Sequence, residues 1–213
     1  MVKTMAGERR ISREVAVGAD LRSVEEATRQ AEAFVASLAL DEGTSRRIRL
    51  LTEETLEMVK ALVGAFDGRM WLDAGPADLR IHLAGTASVN LAREKELLSL
   101  STEGVNRSVR GVTARLSQFI RHHREYIDRL THSAPGEEEG DDYLYLREMD
   151  RGGDDVEWSM SEYRRILSEG GSATERRKAA RDELEKSIVA NLADELRVGV
   201  KGDQIRITVL RRL

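Results

Sequence analysis

The residues best suited to chemistry lie in one segment, where glutamates recur at helical spacing. Glu53 and Glu57 are four positions apart, so on a helix they project side by side. Such a carboxylate pair can bind magnesium, a hard cation that prefers oxygen ligands. The neighbouring Met58 offers only a thioether, which is a poor ligand for that ion. The pattern allows a site on this helix, and it is also typical of an ordinary solvent-exposed helix face.

Two other clusters contain metal-binding residue types, but neither has the spacing of a metal site. His122 and His123 are adjacent, so on a helix they project about 100° apart and cannot share one metal. His123 falls in an apolar stripe and is interpreted as a packed histidine, with a phosphoacceptor as the alternative. The acidic run at 137–142 lacks the alternating ligands of a calcium loop. We therefore predict no metal site, and we interpret 136–142 and 151–155 as mobile surface loops.

Composition narrows the class of protein. Charged residues make up 34% of the 213 residues, and acids and bases nearly balance at a net charge of -4, which argues against a dedicated nucleic-acid binder. The absence of cysteine excludes disulfides and thiol chemistry. No apolar run is long enough for a signal peptide or a membrane span. These features predict a soluble cytoplasmic protein.

Hydrophobic periodicity predicts an α+β fold. The predicted strands are 11–17, 70–72, 79–83 and a hairpin over 198–210. The predicted helices are 23–38 with Ser23 and Glu26 as a capping box, 44–63 capped by Thr44 or Ser45, 158–167, and 174–195. Residues 85–90 are predicted to form a loop, and 91–130 to be mostly helical. This order predicts one domain over 1–213, a two-layer sandwich of a mostly antiparallel sheet with helices on one face, carrying a helical insertion at about 91–175.

The end of the chain carries a family resemblance. Residues 187–198 read Ser-Ile-Val-Ala-Asn-Leu-Ala-Asp-Glu-Leu-Arg-Val and lead into the final hairpin. A helix ending in Leu-Ala-Asp-Glu-Leu before two alternating strands resembles the close of a Bergerat-type ATPase domain, the fold of the GHKL superfamily. The element order is similar too, with the insertion where that family keeps its ATP lid. The closest likeness is to the anti-sigma-factor serine kinases.

The resemblance implies three nucleotide-binding boxes. In the first box, Glu54 falls on the catalytic base and Met58 on an asparagine that holds magnesium, a task that Glu57 could take over. In the second box, Ala84-Gly85-Thr86 replaces an aspartate that accepts the adenine amino group, and alanine cannot accept that bond. The third, glycine-rich phosphate box aligns with 183–186, which contains no glycine, while Gly170 and Gly171 lie upstream.

Because all three boxes depart from the family pattern, the resemblance implies a degenerate ATP site. The resulting hypothesis is a regulatory protein–protein interaction module with no cofactor, acting on an unknown partner protein or as a homodimer. The alternative is a divergent but active ATPase or serine kinase that uses Glu54 as base and binds ATP and magnesium. A third hypothesis is a helical scaffold without an antiparallel sheet containing 79–83 and 196–210.

Overall fold

The structure is a computed structural model that describes residues 9–18, 20–62, 65–88, 156–169, 178, 181, 182, 184, 185 and 187–213. The strands in this part of the chain are β1 (Arg10–Ile11), β2 (Val15–Val17), β3 (Ala65–Ala74), β4 (Asp78–Ser88), β5 (Val156–Ser159), β6 (Glu195–Lys201) and β7 (Gln204–Arg212). Its helices include α1 (Leu21–Ser37), α2 (Glu42–Leu62), α3 (Met160–Glu169) and α4 (Ile188–Leu192). The predicted helix over 91–130, with His122 and His123, and the acidic loops at 136–142 and 151–155 lie outside the described residues.

The strands form one sheet in the order β1-β3-β4-β7-β6-β5, and β2 also pairs with β3. Every pairing is antiparallel. The predicted α+β class with a mostly antiparallel sheet is therefore confirmed. Strands β4, β6 and β7 lie side by side, so the sheet joins 79–83 to 196–210 and the hypothesis of a helical scaffold is wrong.

One face of the sheet packs against the helices and forms the core. The alternating Leu79, Ile81 and Leu83 are fully buried, as the period-two pattern predicts. Of the predicted stripes of α1 and α2, Val24, Phe34 and Leu38 are partly buried and six residues are fully buried, namely Ala27, Ala31, Val35, Ile48, Leu51 and Met58. The core cluster also includes Ile205, Ile207 and Val209 on β7. Within the described residues, no helix has the length and apolar character needed to cross a bilayer.

The helix N-termini differ from the predicted ones. Helix α1 begins after Asp20, whose carboxylate accepts a hydrogen bond from the Ser23 N–H at 3.0 Å. Ser23 is therefore inside the helix, and its hydroxyl donates back to the Asp20 carbonyl at 2.8 Å. Before α2, the Asp41 carboxylate accepts from the Thr44 N–H at 3.0 Å. At both helix starts the capping hydrogen bond is therefore accepted by an aspartate carboxylate, Asp20 or Asp41, and not by the serine or threonine hydroxyl that was predicted three or four residues later.

The strands are longer than predicted, because strand pairing supplies contacts that local sequence does not show. Strand β4 continues through Gly85 to Ser88, where a loop was predicted, since Gly85 pairs with Gly68 on one side and Ile205 on the other. Trp158 lies in β5 and not in a helix, and it pairs with Val198. Strand β5 and helix α3 thus both come from the predicted helical insertion, and β5 extends the sheet by pairing with β6.

Two predicted elements are interrupted by serines that bond to the backbone. Ser187 caps α4 by accepting from the Ala190 N–H at 3.3 Å, so 174–195 is not one helix, and Glu195 already belongs to β6. Ser12 separates β1 from β2, and its hydroxyl accepts from the buried Leu72 N–H at 2.9 Å. This break leaves Ile11 66% exposed, whereas it was predicted to share a buried face with Val15 and Val17.

Candidate functional site

The predicted catalytic helix is α2, and it places its three candidate residues in different environments. Met58 is only 1% exposed and belongs to the core between α2 and the sheet. Glu57 is exposed, and its carboxylate pairs with the Lys60 ammonium at 3.0 Å. Glu54 is half-buried. Burial raises the pKa of the Glu54 carboxyl above its ordinary value, and the nearby carboxylates of Glu57 and Glu53 raise it further.

The second predicted box, Ala84-Gly85-Thr86, lies within β4. Gly85 is on the helix-covered face, where a Cβ would come within 2.4 Å of the Asp67 carbonyl oxygen and 2.5 Å of the Gly68 Cα. Ala84 and Thr86 alternate with it and project from the opposite face. The structure therefore separates Ala84 and Thr86 from the helix layer that carries Glu54.

These residues do not fit magnesium-ATP held in the manner of the family. The position expected to hold magnesium is a buried thioether, which offers no oxygen to a hard cation. Within the described residues, no group of three or more histidine, aspartate or glutamate side chains is arranged to hold a metal ion. In the third box, Leu184 is 8% exposed and packs into the core, while 183, 186, 170 and 171 lie outside the described residues.

The residues that carry the family resemblance close one corner of the sheet. The Asp194 N–H donates to the Leu210 carbonyl at 2.9 Å, and its carboxylate accepts from the Arg212 N–H at 2.8 Å. The Glu195 carboxylate accepts from the Ser161 N–H at 3.2 Å at the start of α3, and it also contacts the Ser159 hydroxyl at 3.3 Å. Asp194 thus bonds to the end of β7, and Glu195 bonds to the start of α3 and the end of β5.

The face of the sheet opposite α1 and α2, here called the open face, contains a concavity with a volume of about 1560 Å³. It exceeds the ~300–1,000 Å³ typical of small-molecule pockets, so its dimensions suit a larger ligand. The lining residues come from β2 to β7 and from the start of α3, and they include Asp67, Arg69, Ala84, Thr86, Glu157, Arg197, Gly199, Lys201 and Arg206.

The strand register places small and cationic side chains in one row across this face. The aligned residues run Glu157, Gly199, Arg206, Ala84, Arg69 and Ala16 from β5 to β2. Arg69 pairs with Glu14 at 2.9 Å and Arg197 pairs with Glu157 at 3.4 Å, while Arg206 makes no ion pair within the described part of the chain. Ala84 and Gly199, which have no bulky side chains, therefore lie on either side of Arg206.

The next row of the open face holds a stacked aromatic pair. The rings of Trp71 and His82 have centroids 5.0 Å apart and planes 14° apart. The His82 Nδ1 lies 3.2 Å from the Thr208 hydroxyl oxygen on β7. Burial lowers the pKa of His82 below its ordinary value because the low-dielectric surroundings disfavour the imidazolium. The ring is therefore held neutral and fixed against its neighbours.

Sequence reasoning did not identify the open face as a site. Alternation along β6 and β7 does predict that Arg197 and Arg206 lie opposite the buried Val198 and Ile205. The alignment of Arg206 with Ala84 and Gly199 depends on strand order and register, which the sequence does not show. No protein-family model matches this chain, and no curated protein is significantly similar to it.

Proposed function

We propose that the protein is a regulatory interaction module that resembles an anti-sigma-factor kinase domain in layout, has lost nucleotide chemistry, and acts by binding a partner protein. A homodimer is a second form that this binding could take. The observation that carries the proposal is Met58, which occupies the magnesium position implied by the resemblance and is 1% exposed.

The burial of Met58 in the core supports the loss of the magnesium site. Its side chain is packed among the residues that hold α2 on the sheet. An asparagine at this position would bury an amide among apolar neighbours, at a cost of about 1–3 kcal/mol without hydrogen-bond partners. The position therefore fits a packing role better than a ligand role.

The size and chemistry of the open face support binding of a macromolecule. The concavity spans several strands and carries both signs of charge, with Arg69, Arg197 and Arg206 near Asp67 and Glu157. A broad surface of mixed charge is typical of specific protein recognition, since complementary charges fix the orientation of a partner. It lies on the side of the sheet opposite Glu54 and Met58, and Ala84 and Thr86 of the second box are among its lining residues.

Calorimetric titration with magnesium-ATP tests the proposal. We expect no saturable heat at millimolar ATP for the wild type or for Glu54→Gln, because neither contains the oxygen ligands and adenine acceptor that the family uses. Saturable binding in the micromolar range would contradict the loss of nucleotide chemistry. The variant separates two outcomes, since binding retained with turnover lost would assign Glu54 as a base.

One observation favours the alternative of an active ATPase or serine kinase. Glu54 has a raised pKa, and within the described residues it makes no hydrogen bond or ion pair. A half-buried carboxyl with a raised pKa is suited to act as a general base. In this alternative Glu57 would hold magnesium, and ATP hydrolysis would be lost in Glu54→Gln and retained in Glu53→Gln.

A further inference from the structure

We propose that the open face binds an acidic segment of a partner protein, with a carboxylate seated beside Arg206 above Ala84 and Gly199. This inference rests on the proposed function, because it names the chemistry of the partner and the place where it binds. The position of Arg206 is central to it. β7 lies between β4 and β6, so Arg206 stands in the middle of the concavity.

The spacing of the arginines suits a carboxylate. Arg69 and Arg206 align with Ala84 between them, so their Cα atoms are about 10 Å apart, twice the inter-strand distance of about 4.8 Å. Arg197 lies two residues from Gly199, the aligned partner of Arg206, and is therefore its diagonal neighbour at about 7–8 Å. By register, three arginines thus flank two positions without bulky side chains, and Arg69 and Arg197 also pair with Glu14 and Glu157, which leaves Arg206 as the one without an ion pair among the described residues. Guanidinium groups bind carboxylates through two parallel hydrogen bonds.

The acidic residues of the concavity lie toward its periphery. Glu157 is on the edge strand β5, Glu162 is on α3, and Asp67 is on β3. The described lining residues of the two central strands, β4 and β7, include Arg206 and no acid. An anionic group at the centre therefore meets positive charge first, and the peripheral acids favour a partner whose acidic segment is flanked by basic residues.

The aromatic pair favours a protein partner over a nucleic acid. Single-stranded nucleic acids bind sheets by stacking bases on exposed aromatic ring faces. Here Trp71 and His82 stack on each other at 5.0 Å, so these facing ring surfaces are already used. The acids Asp67 and Glu157 would also repel a continuous phosphate backbone. A short acidic segment flanked by basic residues avoids both conflicts, because its carboxylates meet the central arginine and its basic residues meet the peripheral acids.

Fluorescence anisotropy tests the inference with a labelled twelve-residue peptide in which six central glutamates are flanked on each side by two glycines and a terminal lysine. The full-length protein is compared with Arg206→Glu and with Arg22→Glu, a matched control. Arg22 is an exposed arginine on α1, and within the described residues it makes no ion pair. Both variants change the net charge equally. We expect Arg206→Glu to weaken binding at least about tenfold and Arg22→Glu to change it less than about twofold, because of these two arginines only Arg206 lies on the proposed binding surface.

Several results would overturn the inference. One is that the wild type shows no saturable binding up to millimolar peptide. Another is that Arg206→Glu and Arg22→Glu weaken binding equally, which would indicate attraction by net charge alone. Tighter, Arg206-dependent binding of a twelve-nucleotide oligo-dT would assign the surface to nucleic acid. Loss of a dimer in Arg206→Glu, measured by sedimentation, would assign the surface to a second copy of the chain.

A second variant and a folding control complete the experiment. Arg206→Gln, which adds no negative charge, should also weaken binding, and thermal melts check that each variant is folded. None of these results depends on ATP, so failure here is distinguishable from failure of the proposed function.

Discussion

Gly85 and Gly199 give a pair of substitutions with opposite expected signs. Both lie inside strands of the same sheet, β4 and β6. A Cβ on Gly85 would come within 2.4 Å of the Asp67 carbonyl oxygen and 2.9 Å of the Asp67 carbonyl carbon. A Cβ on Gly199 would have its nearest neighbour, the Arg206 carbonyl oxygen, at 4.0 Å. The same change from glycine to alanine therefore meets backbone in one case and open space in the other.

The expected magnitudes follow from these distances. At Gly85 the obstructing atoms are backbone, so β3 and β4 must separate, and overpacking of this kind costs about 1–3 kcal/mol, here toward the upper end. For a chain of this length that lowers Tm by about 6–12 °C, at about 2–4 °C per kcal/mol. At Gly199 alanine restricts the unfolded chain without strain and stabilises by about 0.4–1 kcal/mol.

Differential scanning calorimetry on the wild type, Gly85→Ala and Gly199→Ala measures both effects. We expect Tm to fall for the first variant and to rise or stay constant for the second. A Gly85→Ala variant as stable as the wild type would refute the close approach of β3 and β4. It would also reopen a ligand role for Gly85, since its lack of a side chain would then serve something other than strand packing.

Four further perturbations test other parts of the structure. Ser12→Ala leaves the buried Leu72 N–H without its partner, so chemical denaturation should show a loss of about 1–3 kcal/mol. Because the folded-state pKa of His82 is lowered, the wild type should lose stability as pH falls through the ordinary histidine value, and His82→Gln should flatten that part of a pH series of melts. Because the folded-state pKa of Glu54 is raised, its ionisation destabilises the folded protein as pH rises through and above the ordinary glutamate value; Glu54→Gln should raise Tm at pH 7 and leave it unchanged at low pH. Met58→Leu should cost less than about 1.5 kcal/mol in urea unfolding, whereas Met58→Asn should cost more.

The sequence predicts those parts of the fold that depend on local pattern. The alternation of Leu79, Ile81 and Leu83 is enough to identify a half-buried strand, and the stripe containing Ile48 and Leu51 identifies the buried face of α2. The element order then leads to the α+β class. In each case the signal lies within a few residues of the position that it describes.

The remaining features depend on residues far apart in the chain. Strand β4 extends past Gly85 because β3 and β7 pair with it on both sides, and a glycine with small polar neighbours gives no local sign of that. Trp158 is a strand residue because β6 lies beside it. The row that joins Arg69, Ala84 and Arg206 follows from register, which a shift of one residue would destroy. The candidate surface could therefore be found only once the sheet was assembled.

The most direct test of the central claim is a ¹H–¹⁵N correlation spectrum of the labelled protein titrated with millimolar magnesium-ATP. We expect the amide resonances of Glu54, Met58 and Gly85 to remain at their positions, because the residues implied by the family resemblance do not form a nucleotide site. Saturable shifts confined to those amides would contradict the claim and would favour the active ATPase or kinase.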